Sequence, residues 1–208
     1  LKWIGKPHEA LAVLDEGTRL AEQMKDTLWI KELQVRAGRI YCFVLKDYPS
    51  CTNIFRWLIT LMDDPGICYS LGLSMAFEKN DSFPYYMSKA ADLSLMRGDT
   101  THAIFILRNM ASASTYTAQN KKFVVETIRR ILSLVKESTQ ESKLEARQST
   151  LLFSYESIID GFLHLKQLDS AQHYIDKYWG LDSVHTFNHL GRYNSMNTYQ
   201  ALIDYSRT

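Results

Sequence analysis

Residues 165–178 read Leu-Lys-Gln-Leu-Asp-Ser-Ala-Gln-His-Tyr-Ile-Asp-Lys-Tyr. A polar corner leads into a helical pattern in which Ala171, Ile175 and Tyr178 share one face, at the i, i+4, i+7 spacing of a 3.6-residue period. Gln172 falls on the opposite, solvent side. Two other stretches have the same form, from Gly5 to Gly17 and from Gly98 to Met110. Each runs from a short corner to an alanine (Ala10, Ala103) and then to a leucine four residues on (Leu14, Leu107). A unit that recurs in this way points to stacked helical hairpins, because one hairpin cannot bury its apolar face alone.

Outward from these anchors the same period continues along the chain. The pattern predicts helices over 6–25, 27–46, 50–62, 67–79, 83–97, 100–113 and 117–137, another ending near residue 167, one over 169–180, and a last one beginning after His185. On the second helix Leu33, Ala37, Ile40, Tyr41 and Val44 form the predicted core stripe. On the first, Leu20, Ala21 and Met24 join Leu11 and Leu14. Asp63-Asp64-Pro65-Gly66 reads as a turn on its dipeptides, and residues 138–148 as either a solvated helix end or a loop. Valine and isoleucine never alternate with period 2, and with only 4 Pro and 9 Gly the chain lacks the frequent turns of a β sandwich. The expected fold class is all-α, with nine or ten helices in a single domain over residues 1–208. Because the chain starts at Leu1 rather than Met, it is expected to be a fragment of a longer protein.

Composition narrows the function classes. Lys and Arg number 24 against 23 Asp and Glu, a net charge of +1 that gives no electrostatic reason to expect a nucleic-acid partner. The longest strongly apolar run, about 65–77, is shorter than the ~20 residues a membrane span needs. Cys42, Cys51 and Cys68 form no CxxC pair and are odd in number. They are expected as buried thiols acting as small hydrophobes, with a disulfide or a metal site as the alternatives. Such usage points to a reducing compartment such as the cytoplasm.

Other chemistry-bearing spacings have plain structural readings. His185 and His189 would share a helix face, but no third ligand accompanies them, so no metal is expected. Lys122, Arg129 and Lys136 repeat every seven residues. Glu126 lies four from both Lys122 and Arg130, which is the pattern of a solvated helix face. No Gly-rich phosphate loop or nucleophile motif is present, so neither a cofactor, a catalytic residue nor an enzymatic activity is expected.

Ala37-Gly38 with Tyr41, and Leu71-Gly72 with Met75, resemble the first-helix signature of the tetratricopeptide repeat. Ala10, Ala103 and Ala171 resemble the alanine of its second helix. Small residues at these positions let paired helices approach to the short end of ~8–10 Å. The helix around 98–113 fits either place in its pair. The chain thus resembles a degenerate array of such repeats, in the style of the sensory regions of bacterial regulators. That resemblance implies a right-handed α-solenoid of antiparallel helix pairs with a concave groove, serving as a protein- or peptide-binding module of a regulatory or signalling protein. Its groove positions fall on Glu32, Arg39 and Tyr69, and on Glu156 and Asp160 in the helix before Ala171. The implied partner is a protein or peptide, with neither nucleic acid nor membrane insertion, and oligomerisation is left open. The alternative is a structural subunit that stacks through apolar helix faces. An extracytoplasmic sensor region of a membrane-bound regulator is the alternative to a cytoplasmic location.

Overall fold

The computed structural model describes residues 5–116, 121–138, 144–180 and 190–207. All of its regular elements are helical: α1 (Pro7–Gln23), α2 (Thr27–Arg39), α3 (Tyr48–Leu58), α4 (Pro65–Phe77), α5 (Phe83–Met96), α6 (Thr100–Tyr116), α7 (Lys121–Ser138), α8 (Leu144–His164), α9 (Leu168–Trp179) and α10 (Leu190–Arg207). The all-α expectation holds, and no strand occurs among the described residues. The chain divides into two compact units, Leu1–Asp99 and Thr100–Thr208. Of the sequence candidates, His185 and His189 lie outside the described residues, as do the side chains of Lys122 and Lys136.

The helix starts follow from local chemistry. All four prolines sit in first turns, of α1, α3, α4 and α5, where the missing N–H would have no intrahelical partner anyway. Asp26, Asp47 and Asp64 cap α2, α3 and α4. Asp64 Oδ1, for example, accepts hydrogen bonds from the Gly66 and Ile67 amides at 2.9 and 3.2 Å. The Asp64-Pro65-Gly66 stretch read as a turn is therefore the capped start of α4.

The helix ends share a device that the periodicity does not reveal. Lys25, Lys46, Lys79 and Lys166 take left-handed φ values of 55–58°, and Gly98 takes 75°. After each, the next amide closes the helix by bonding back to a carbonyl, as Asp26 N does to Ala21 O at 2.9 Å and Asn80 N to Met75 O at 2.9 Å. The corner after α2 differs: Asp47 N reaches back one residue further, to Tyr41 O. Residues Ile40–Leu45 wind there as a π-helical turn.

That wider turn rotates the end of the predicted stripe. Ala37 and Ile40 are buried against Leu11 and Leu14 as expected, but Val44 is 55% exposed. Leu20 and Met24, also expected in the core, are exposed. The thiol expectation needs correcting too, because Cys42 in the π turn and Cys51 in α3 form a disulfide with Cα atoms 5.3 Å apart. Only Cys68 is a free, buried thiol.

In the first unit each helix from α1 to α5 packs on its neighbour in sequence. The contacts are close where the small residues lie. A Cβ on Gly38 would come within 2.9 Å of the Phe55 ring, and one on Gly72 within 2.6 Å of Met87 Cγ. In the second unit α6 packs on both α7 and α8, and α8 on α7, α9 and α10. Ala171, Ile175 and Tyr178 are all buried there, together with Leu152, Ile159, Met196 and Ile203. Gln172 is not a free surface residue. It and Gln200 of α10 exchange two amide hydrogen bonds, at 2.9 and 2.8 Å.

Candidate functional site

Each unit carries a cleft that contains some of the predicted groove residues. In the first unit a cleft of about 630 Å³ runs beside α2 and the start of α4. Glu32 and Arg39 both line it, and Tyr69, half-buried on α4, does not. Glu32 is already engaged: its Oε1 accepts from Arg36 Nη2 at 2.8 Å and Nε at 3.0 Å. Asp64 is engaged as well, as a helix cap and in an ion pair with Arg97 at 3.0 Å. Arg39 is exposed and makes no hydrogen bond or ion pair among the described residues. One of its terminal nitrogens lies 3.9 Å from where a Gly66 Cβ would sit, which places the guanidinium at the mouth of α4. The π turn adds Phe43 and Val44 to the wall, both more than half exposed. The result is an open, amphipathic cleft with one uncommitted cation.

The second unit has a different cleft, of about 360 Å³. Glu156 and Asp160 enter it from α8, one turn apart, with Ser157 between them. Arg108, Asn109 and Ser112 enter from α6, and Tyr199 from α10. Both sequence candidates on α8 are thus brought together, and four titratable or polar groups from the other two helices join them. Burial pushes the Asp160 carboxyl above its ordinary range, and nearby His164 draws it partly back. The Tyr199 hydroxyl is pushed up to about 12, first by burial and then by the negative charges of Asp160 and Glu156, with Arg108 opposing. Tyr199 therefore stays protonated at neutral pH, able both to donate and to accept. One oxygen of Glu156, Oε1, is buried and receives no hydrogen bond from the described residues; the residue is held by other interactions.

Sequence reasoning missed Arg108, Asn109, Ser112 and Tyr199. The available signal was the phase of α6. Arg108 and Ser112 are four apart and lie off the buried Ala103, Leu107, Met110 stripe, so placing α6 first in its pair would have directed them toward α8. Among the described residues no group of three or more His, Cys, Asp or Glu side chains could hold a metal ion. None of the described helices is long and apolar enough to cross a membrane. No protein-family model matches the chain, nor does any curated protein or solved structure.

Proposed function

We propose that this chain is a helical-repeat module that holds an extended segment of a protein or peptide partner, as part of a regulatory or signalling protein. In this reading each unit is a short right-handed stack of antiparallel helix pairs. The observation that carries it is the lining of the second cleft, which among the described residues comes from α6, α8 and α10 and from neither α7 nor α9. First helices line the inner face of stacked helix pairs, and second helices form the outer one. The close approaches at Gly38 to α3 and at Gly72 to α5 support the same assignment, with α2 and α4 as first helices. In the first cleft, Arg39 would clamp a carboxylate of the partner in a bidentate pair, beside Phe43 and Val44, which would take an apolar side chain.

The test is selection of peptides from a displayed library on the full chain, followed by hydrogen exchange with and without the selected peptide. Protection should gather on the even-numbered helices; protection on α3, α5, α7 and α9 instead would overturn the reading. A charged hydrogen bond contributes ~1.5–3 kcal/mol, so Arg39→Ala should weaken binding ~10-fold or more. Its thermal midpoint should stay nearly unchanged. Arg39→Lys should recover only part of the affinity, because an ammonium cannot reproduce the planar fork.

A second reading, an assembly subunit that stacks through apolar faces, is favoured by one observation. Met24, Leu28 and Trp29, at the corner between α1 and α2, are 77%, 75% and 56% exposed. Apolar groups gathered at one exposed corner suit a protein contact. Concentration-dependent sedimentation that Leu28→Lys abolishes would support this reading, and monomeric behaviour at all concentrations would remove it.

A further inference from the structure

We propose that the cleft of the second unit is a pocket for a cationic side chain, a guanidinium or primary ammonium, carried by the bound segment. This inference rests on the groove reading above and adds the chemistry of one subsite. The first support is charge. Glu156 and Asp160 face the cleft from α8 and only one guanidinium, Arg108, faces it from α6. With the carboxylates ionised the described lining carries one net negative charge, which a single added cation neutralises and an added anion would double.

The second support is the character of the wall. All seven described lining residues end in hydrogen-bonding groups, and no aliphatic side chain is among them. An apolar ligand would strip water from these groups and return nothing, which is costly for partly buried polar atoms. A guanidinium offers five N–H donors in a planar fork and an ammonium offers three. The carboxylate, amide and hydroxyl oxygens of Glu156, Asp160, Asn109, Ser112 and Tyr199 are the matching acceptors. The third support is size. About 360 Å³ is at the small end of ligand pockets, enough for one long side chain and too little for a folded element.

The test is NMR titration of the full chain with Nα-acetyl-arginine amide, the lysine analogue, the neutral citrulline analogue and the glutamate analogue. The two cations should shift resonances of Arg108, Asp160 and Tyr199, and citrulline, which has arginine's shape without its charge, should not. Losing one charged hydrogen bond should weaken arginine binding ~10-fold in Asp160→Asn and again in Glu156→Gln. Arg108→Gln should tighten it several-fold, because a competing positive charge is gone, and a loosened fold could not produce that gain. Equal binding of citrulline, preference for glutamate, or an unchanged affinity in both acidic variants would each overturn the proposal.

The outcomes also separate the two readings. If library peptides protect the even-numbered helices but neither cation analogue binds, the groove stands and the pocket fails. If the analogues bind and no peptide does, the pocket stands and the groove reading fails.

Discussion

Replacing Gly72 with alanine should destabilise the first unit although alanine is the better helix former. In the middle of α4 the exchange gains ~0.8–1 kcal/mol of intrinsic helix propensity. Against that, the new Cβ would lie 2.6 Å from Met87 Cγ, 3.1 Å from the Met87 backbone nitrogen and 3.2 Å from the Phe83 carbonyl oxygen. Met87 is fully buried, and the other two atoms belong to the backbone of α5, so relief requires the two helices to move apart. Overpacking of this kind costs ~1–3 kcal/mol, and backbone involvement places it in the upper part of that range. The net loss is then about 1–2 kcal/mol. Gly17→Ala is the companion. Its Cβ would meet only the terminal methyls of Leu33, at 3.2 and 3.6 Å, which can shift slightly. That variant should be neutral or gain up to ~1 kcal/mol. Urea unfolding followed by tryptophan fluorescence reports mainly on the first unit, where Trp29 and Trp57 lie, against Trp179 in the second. With an m-value of ~1–3 kcal/mol/M, the Gly72→Ala midpoint should fall by about 0.5–1.5 M. Equal midpoints for the two variants, or a rise in Gly72→Ala, would show that α4 and α5 do not approach closely at this point.

Two further expectations concern the second unit. Burial raises the Asp160 carboxyl, so the folded chain binds that proton more tightly than the unfolded one, and the stability it contributes is full below the ordinary carboxyl range and lost as pH rises through the raised value. Asp160→Asn should therefore raise the urea midpoint at neutral pH, with the gain vanishing below ~pH 4; a lowered midpoint at neutral pH would contradict the burial. Gln172→Leu would remove both amide bonds to Gln200, and Gln200 would keep only Asp204 as a side-chain partner. A half-buried amide left in that state costs ~1–3 kcal/mol, visible as reduced amide protection in α10; unchanged protection would mean that the pair does not hold α10 in place.

What could be read in the chain depended on whether local chemistry decided the outcome. The prolines at 7, 49, 65 and 84 mark helix starts because the constraint they impose is their own. Ala171, Ile175 and Tyr178 reach the core because a single helix face fixes them. Val44 does not, because it lies in a π turn, next to the packing of α2 on α3 and the Cys42–Cys51 link, none of which a period of 3.6 contains. The helix ends were obscured for another reason: lysine stands at four corners where glycine is the usual left-handed residue, and only Gly98 carries the expected sign. In hindsight the pairs Lys25-Asp26, Lys46-Asp47, Lys79-Asn80 and Lys166-Gln167 are the repeated corner, with the polar residue following the left-handed one.

The two clefts differ in legibility for the same reason. Glu32 and Arg39 share one helix, so their placement on a common face follows from spacing alone. The second cleft joins α6, α8 and α10, and its members Arg108 and Tyr199 are far apart in sequence. Periodicity could place each on a face but could not bring the three faces together. That cleft also runs against what folding alone favours. Glu156 and Asp160 are like charges one turn apart on α8, a spacing that destabilises a helix, and burial penalises ionised Asp160 further. Glutamine or serine in place of Asp160 would relieve both costs, and in place of Glu156 the repulsion alone. A cation seated between the carboxylates, as proposed for this cleft, would offset the repulsion and the burial together.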